Sequence, residues 1–285
     1  MTERLRDVEA RIGTIHQLSA VISAMRSIAA ARTREARARL DGIRTYAGTV
    51  GEAIGTALAV QPDAARAEAR ASGRGTHAIV ALCAEQGFAG AFSEHVLDAA
   101  ARLSTGADAG ATDLLLVGDR GLMLAGERGM AIDWSAPMIV HAAQAASLAD
   151  RIIAELYRRI EADAVVRVSI VHADPDATDP GAVVEKRLVP FDFDRFPVTA
   201  TTRPPLMTLA PAVLLARLSE EYIFAEICEA VMLSFAAENG ARMRVMISAK
   251  ENVDKTVSSL VSRARQVRQD EITAEIIELA ASSGS

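Results

Sequence analysis

The 285-residue sequence is poor in the residues that build large cores or disulfide-bonded scaffolds. Aromatic residues make up only 4% of it, and its two cysteines, Cys83 and Cys228, have no redox or metal-binding spacing. We therefore expect both to be buried small apolar residues in a reducing compartment. No apolar run reaches the roughly 20 residues of a membrane-spanning helix, and the charged residues 1–7 are not expected to be a secretory signal. The net charge of −6 argues against wholesale binding to nucleic acid.

The chain also lacks the sequence patterns of nucleotide sites and metalloenzymes. Gly87-Phe88-Ala89-Gly90 and Gly118-Asp119-Arg120-Gly121 follow two predicted strands, but neither forms a dinucleotide fingerprint or a lysine-containing phosphate loop. We interpret both as tight strand-to-helix turns. The five histidines are scattered, and Glu85 and Asp119 fit exposed turn acids better than a catalytic pair. The sequence thus predicts no catalytic residue, no cofactor and no metal.

The sequence is rich in helical apolar spacing at its two ends. Near the amino terminus the spacing falls at Leu5, Val8, Ile12, Ile15, Ser19, Ile22, Met25 and Ala29. Near the carboxyl terminus it falls at Met243, Met246, Lys250, Val253, Val257, Leu260, Ala264 and Val267. Steps of three and four place residues on one seam of a helix, and a sustained seam requires a partner helix.

The ends are therefore predicted to form two long helices, residues 2–59 and 211–280, paired as an antiparallel coiled coil. Residues 212–280 contain no proline and only one glycine, Gly240, so a single helix of roughly 70 residues and about 100 Å is allowed. In this pairing Ile15, Ile22 and Met25 face Val253, Val257 and Leu260.

Between the ends, predicted strands and helices alternate. The predicted strands are residues 77–83, 113–117, 130–134, 165–172 and 183–191, the last an antiparallel return after a turn. The predicted helices are residues 93–103, 122–127 and 144–161. This alternation favours a mostly parallel sheet covered on both faces, and hence an α+β protein with an inserted Rossmann-like α/β domain. The predicted domains are a coiled-coil shaft at 1–60 and 211–285, an α/β domain at 76–192, and connecting segments at 61–75 and 193–210.

Arginine is concentrated between residues 26 and 44. The only acidic residues in this stretch are Glu35 and Asp41, against six arginines: Arg26, Arg32, Arg34, Arg37, Arg39 and Arg44. One interpretation is a solvated helix face. The other is a contact with an acidic protein surface, because a guanidinium binds carboxylates bidentately.

The last residues, 276–285, carry no charge after Glu278 and end in Ser-Ser-Gly-Ser. A frayed terminus explains this composition. A weakly polar tip that turns inside a protein sleeve explains it equally well.

Motifs at both ends resemble a known family, the gamma subunits of rotary F-type ATP synthases. The carboxyl-terminal positions are Ala241-Arg242-Met243, Met246, Ala249, Asn252, Leu260 and Arg268-Gln269-x-x-Ile272-Thr273-x-Glu275. Upstream positions that also match are Ser219-Glu220-Glu221-Tyr222-Ile223-Phe224 and Ile22-Ser23-Ala24-Met25-Arg26-Ser27-Ile28-Ala29-Ala30-Ala31-Arg32. Their order and spacing agree with the family pattern.

This resemblance implies a central-stalk rotor subunit with no active site of its own. Its coiled coil would turn inside a hexamer of alternating alpha and beta subunits, coupling proton or sodium flow to ATP synthesis or hydrolysis. The implied partners are the alpha, beta and epsilon subunits and the membrane ring of c subunits, without nucleic acid or direct membrane insertion. The implied location is peripheral, on the cytoplasmic face of the bacterial plasma (inner) membrane.

The resemblance also implies which residues contact partners and transmit torque. They are Met25, Arg26, Arg32, Arg242, Met243, Arg268, Gln269, Thr273 and Glu275. Three places depart from the family pattern: the loop after the first strand, residues 84–93; Ala264-Arg265, where the family has Tyr-Asn; and residues 17–23, where basic positions of the family are lost. Such departures resemble the gamma subunits of an alternative F-type ATPase that is sometimes coupled to sodium.

Two other classes of protein share this architecture. An α/β ligand-binding module with coiled-coil dimerisation arms predicts a pocket at the strand ends, and a tethering coiled coil with an embedded fold predicts no motor. Both leave the agreement of the two terminal motifs unexplained.

Overall fold

A computed structural model of the chain describes residues 5–60, 75–105, 110–162, 165–177, 181–198 and 207–282. The helices are α1 (Leu5–Leu58), α2 (Phe92–Thr105), α3 (Asp119–Glu127), α4 (Ala145–Glu161) and α5 (Pro211–Ser282). The strands are β1 (Thr76–Leu82), β2 (Thr112–Val117), β3 (Trp134–Ala136), β4 (Val165–Ala173) and β5 (Val183–Val189). Short 3₁₀ helices lie at Ala142–Gln144 and Phe193–Arg195. The prediction of long terminal helices around a parallel-rich sheet is confirmed.

The structure divides into two compact units, and both long helices contribute to each. The terminal unit comprises Met1–Ala29 and Arg242–Ser285, and the central unit comprises Ala30–Ala241. The predicted bounds of a shaft and an α/β domain follow a different criterion, the type of secondary structure, and they stay a prediction.

In the terminal unit, α1 and α5 run antiparallel. Two contacts join the start of α1 to the far end of α5: the Leu5 amide donates to Glu271 Oε1 at 3.5 Å, and Arg268 Nη2 donates to Glu9 at 2.9 Å. Every position of both predicted seams is buried or half-buried. The apolar cluster between the helices comprises Ile22, Met246 and Val253, with Ile15, Met25, Val245, Ala249 and Val257 packed against it. The predicted pairing is therefore confirmed, although Leu260 is half-buried and lies outside this cluster.

A disulfide across this seam gives a direct test of the helix register. Ile22 and Val253 are both buried in the apolar cluster between the two helices. We expect Ile22→Cys combined with Val253→Cys to oxidise readily, shown by the shift of the oxidised chain on a non-reducing gel. Ile22→Cys combined with Ile247→Cys is the matched control, because Ile247 lies outside the seam cluster and is partly exposed. Equal crosslinking of both pairs would contradict the register.

The central unit contains a five-stranded sheet in the order β3-β2-β1-β4-β5. The first four strands in this order are parallel, and β5 pairs antiparallel with β4. Side chains of alternate residues in β1 pack in two different cores, one on each face of the sheet, because successive side chains of a strand point to opposite faces. Ala78, Val80 and Leu82 pack in a core with α4 and α5, whereas Ile79 and Ala81 pack in a core with α2 and α3.

The long helix α5 also contacts the carboxyl end of β1. The hydroxyl of Ser234 donates to the Leu82 carbonyl at 3.0 Å, and both residues are buried. This bond satisfies the last carbonyl of the strand. It also fixes the position of α5 relative to the carboxyl end of β1.

The position of β3 corrects one sequence-based prediction. A strand was expected at residues 130–134, but β3 covers Trp134–Ala136. The Met130 amide instead donates to the Ala125 carbonyl and closes the end of α3, where Gly129 has a φ of 66°. The carboxylate of Asp133 then accepts the Leu114 amide at 2.8 Å, so ladder pairing begins only at Trp134.

Parts of two predicted connections lie outside the described residues, namely 61–74 and 199–206. The described part of the second connection is an aromatic cluster. Phe191, Phe193 and Phe196 pack with Tyr222 of α5, with ring centroids 4.9 to 5.8 Å apart. Aromatic residues are thus concentrated where the chain returns to α5, a feature that the sequence analysis missed.

Candidate functional site

The polar and glycine residues in the turns at the carboxyl ends of β1 and β2 hold neighbouring backbone segments together. Glu85 Oε2 accepts the Met138 amide at 2.7 Å and the Asp119 amide at 3.3 Å, so this carboxylate ties three segments together. Gly118 has a φ of 105°, and a Cβ there would lie 2.5 Å from the Cys83 carbonyl oxygen. The interpretation of both glycine loops as tight turns agrees with this geometry.

The buried titratable groups have environments that disfavour reactivity. Burial raises the pKa of the Cys83 and Cys228 thiols to about 12, so both are protonated and unreactive at neutral pH. Burial lowers the pKa of His77 and of His172. His77 Nε2 lies 2.9 Å from Ser169 Oγ, but nothing in this pair orients an acid or an oxyanion hole. Among the described residues, no group of three or more His, Cys, Asp or Glu is arranged to hold a metal ion.

Two cavities lie along α5 in the central unit. One, of about 470 Å³, is lined by several alanines together with larger side chains such as Tyr46, Phe224 and Cys228. The other, of about 350 Å³, contains charged side chains that are already paired, such as Arg44 with Glu229 at 2.7 Å. Neither cavity brings together groups that could perform acid–base or nucleophilic chemistry on a substrate.

The arginines of residues 26–44 fall into two sets, those that form an ion pair within the described part of the chain and those that do not. Arg37 pairs with Asp176 at 2.6 Å, Arg39 with Glu35 at 3.7 Å, and Arg44 with Glu229 at 2.7 Å. Glu35 and Asp41 are the only acids within the stretch, and the fold supplies two more partners, Asp176 and Glu229, from distant segments. Arg26, Arg32 and Arg34 have no ion pair with any residue that the structure describes.

The candidate torque residues of the terminal unit fall into two groups. Met25 and Met243 are half-buried on the seam, and Arg242 is buried with 5% of its surface exposed. Arg26, Arg268, Gln269, Thr273 and Glu275 are exposed. Arg32 belongs to the central unit and is half-buried. The seam group supports the helix pair, whereas the exposed group is available to a partner.

Among the described residues, none covers the last part of α5. Val267 is the final buried position of the seam, and every side chain described in residues 268–282 is exposed. The exposed side chains include large apolar ones, with Ile272, Ile276, Ile277 and Leu279 each 51–68% exposed. A single helix without packing is marginal in water. The uncovered apolar end of α5 is therefore the strongest candidate for a partner-binding surface, and we call residues 268–282 the tip.

The described helices of this protein include none that is both long and apolar enough to cross a membrane.

Comparison with known proteins gives a consistent result. A family model described as ATP synthase matches residues 4–285. The ATP synthase gamma chain of Frankia casuarinae is 28% identical over 306 residues, covering 98% of this chain and 96% of the relative. That of Solibacter usitatus is 28% identical over 282 residues, covering 96% of each chain.

Solved structures share the fold at low sequence identity. A chain from the central stalk and c-ring of Tetrahymena thermophila mitochondrial ATP synthase has a TM-score of 0.57 and 18% identity. The match covers 80% of this chain and 99% of that one. A chain from the OSCP/F1/c-ring structure of Euglena gracilis mitochondrial ATP synthase has a TM-score of 0.64 and 12% identity, covering 98% and 93%.

Proposed function

This chain belongs to the ATP synthase family, and on that premise we propose that it is the gamma subunit of the central stalk of an F-type ATP synthase. In this role it turns with the rotor and couples ion flow to ATP synthesis or hydrolysis by the catalytic hexamer. The full-length similarity to gamma chains supports this assignment.

The observation that carries the proposal is the contrast within α5 between a buried seam and an exposed tip. Between Arg242 and Val267 a seam of α5 is buried against α1, and beyond Val267 the helix continues with large apolar side chains facing solvent. A rotor shaft needs this combination, because the seam gives stiffness and the tip gives a surface that slides inside a sleeve. The ligand-binding alternative does not account for an apolar tip.

We propose that polar contacts with the hexamer are distributed over several residues. The pair between Arg268 and Glu9 is exposed on both sides, so it contributes only about 0–1 kcal/mol and can be exchanged for a partner carboxylate. Gln269, Thr273 and Glu275 are exposed beside it. A rotor must break and remake its contacts at each turn, and weak interchangeable contacts suit that cycle.

The partners of this chain are those of an ATP synthase, and the finer assignment is part of the proposal. Alpha and beta subunits would surround the terminal unit. The epsilon subunit and the ring of c subunits would complete the rotor. The chain would then be a peripheral component on the cytoplasmic face of the bacterial inner membrane.

Reconstitution with purified alpha and beta subunits tests the proposal. We expect replacement of Ile272, Ile276, Ile277 and Leu279 by glutamine to leave the melting temperature of the isolated chain nearly unchanged, because all four side chains are exposed. The same variant should dissociate from the hexamer about a hundred- to a thousandfold faster, since the four lost apolar contacts contribute roughly 1 kcal/mol each. Size-exclusion chromatography over time measures this dissociation.

Val213→Gln is the matched control, because Val213 is a 50% exposed apolar residue of the same helix. It should not change dissociation. If the glutamine-substituted tip bound the hexamer as tightly as the unchanged chain, the tip would not be the binding surface.

A further inference from the structure

His172 of β4 is a buried histidine, and only one of its two ring nitrogens has a hydrogen-bond partner. The residue is 3% exposed, and burial lowers its pKa, so the ring is neutral at neutral pH. Nδ1 donates to the Ala173 carbonyl at 3.0 Å, so the proton of the neutral ring is on Nδ1 and Nε2 carries a lone pair. No residue that the structure describes bonds to Nε2. A second proton can therefore bind the ring only at Nε2.

The ring of His172 lines the cavity of about 350 Å³ beside α5. A polar cavity of this size has room for water, which can deliver a proton to the ring. The neighbouring strand β1 is apolar from Ala78 to Leu82 and adds no charge. The other elements around the cavity contribute four carboxylates and two cations, namely Arg44 of α1, Asp174 after β4, Glu185 and Lys186 of β5, and Glu226 and Glu229 of α5. A charged ring would enter this network of ion pairs.

The two glutamates of α5 in this cavity differ in how firmly they are held. Glu226 has two cations, Lys186 at 2.9 Å and Arg195 at 2.6 Å. Glu229 has one cation within the described part of the chain, Arg44 at 2.7 Å. The pair of Arg44 with Glu229 joins α1 to α5, so a new partner for Glu229 would weaken the attachment of these two helices.

The charges of the cavity act on His172 in opposite directions. Burial has the largest effect and lowers the pKa of the ring, and the positive charge of Lys186 lowers it further. The negative charges of Asp174 and Glu229 raise it. Asp174 Oδ1 already accepts the Asp176 amide at 2.9 Å within its own turn. Glu229 is therefore the carboxylate that both favours a charged ring and can exchange its partner.

We propose that His172 is an acid-sensitive switch for the attachment of α1 to α5 in the central unit. A proton from solvent binds the lone pair of Nε2, and the resulting imidazolium competes with Arg44 for the Glu229 carboxylate. The charged ring also favours opening of the cavity to water, because a buried charge is costly. Release of the proton reverses the change. This inference does not rest on the proposed function.

The direction of the pH effect follows from the burial of the ring. The pKa of His172 lies below its ordinary value of about 6.5, so the closed cavity binds a proton less readily than the open one. The attachment is therefore fully present above about pH 6.5 and weakens as the pH falls below it. For one such histidine, the open state should become about three- to tenfold more populated between about pH 7.5 and about pH 5.5.

Amide hydrogen exchange of the full chain at these two pH values, corrected for the intrinsic effect of pH, measures the opening. We expect the protection of residues 40–48 and 226–233 to fall about three- to tenfold at the lower pH. His172→Gln should remove this fall. His77→Gln is the matched control and should keep it, because His77 is also buried but lies against Ser169. Equal protection of the unchanged chain at both pH values, or a fall that persists in His172→Gln, would overturn the proposal.

An NMR titration of the His172 ring gives a second test that does not depend on the folding of His172→Gln. Glu229→Gln should lower the pKa of the ring further, because it removes a negative charge that favours the charged form. Glu185→Gln is the matched control, because Glu185 lines the same cavity but pairs with Arg102 of α2 at 3.8 Å. It should leave this pKa nearly unchanged. The same pKa in both variants would contradict competition for Glu229.

Discussion

Replacement of Gly118 by alanine should lower the free energy of unfolding by about 3–5 kcal/mol, combining backbone strain with overpacking. Gly118 connects β2 to α3 with a φ of 105°, which an alanine rarely adopts. A Cβ at this position would lie 2.5 Å from the Cys83 oxygen and 2.6 Å from the Ala84 oxygen. The Ala84 oxygen is held by the Arg120 amide, which donates to it at 3.1 Å, and Gly118 is itself fixed because its amide donates to the Ala136 carbonyl at 2.8 Å.

Urea unfolding of the full chain, followed by circular dichroism, measures this loss. Gly126→Ala is the matched control, because Gly126 lies inside α3 with no atom near an added Cβ. That substitution should stabilise the chain by about 0.5–1 kcal/mol through helix propensity. If both alanine variants had the same stability, the strained turn would not be what positions α3 at the sheet edge.

Removal of both cations beside Glu226 should be the second most damaging change. The Glu226 side chain is only 2% exposed, and it pairs with Lys186 Nζ at 2.9 Å and Arg195 Nη2 at 2.6 Å. Lys186→Met combined with Arg195→Met leaves a buried carboxylate without a counter-charge, a change that typically costs about 3–5 kcal/mol. Arg195 also lies over the ring of Tyr222, so part of the loss comes from the aromatic cluster.

A third substitution isolates the charge effect. Adding Glu226→Met to the double variant removes the unpaired carboxylate, and we expect most of the lost stability to return. Urea unfolding of the double and triple variants gives the comparison. If the triple variant were as unstable as the double one, lost packing around Arg195 would explain the effect instead.

The long helices could be predicted from sequence because their pattern is local. Seam positions such as Val8, Ile22 and Val253 recur at fixed spacing, and burial follows the same spacing in the structure. The strands were also predicted well where burial is continuous, as in β1. The bounds of β3 were missed because Asp133 and Gly129 make specific contacts that no periodicity encodes.

Contacts between distant segments could not be predicted in the same way. Arg37 forms its ion pair with Asp176, and Phe191 packs against the ring of Tyr222, only because the fold brings these distant segments together. The torque residues are a further case, since the atoms that they would contact belong to other chains, and their roles stay a prediction.

Single-molecule rotation tests the central claim most directly. Met123→Cys provides an exposed attachment point, while Cys83 and Cys228 are buried and should not be labelled. With the alpha/beta hexamer immobilised and a bead attached to this cysteine, addition of ATP should turn the bead continuously in one direction, and removal of ATP should stop it. Hydrolysis of ATP by a hexamer that holds this chain, while the bead stays still, would contradict the assignment of this chain as the rotor.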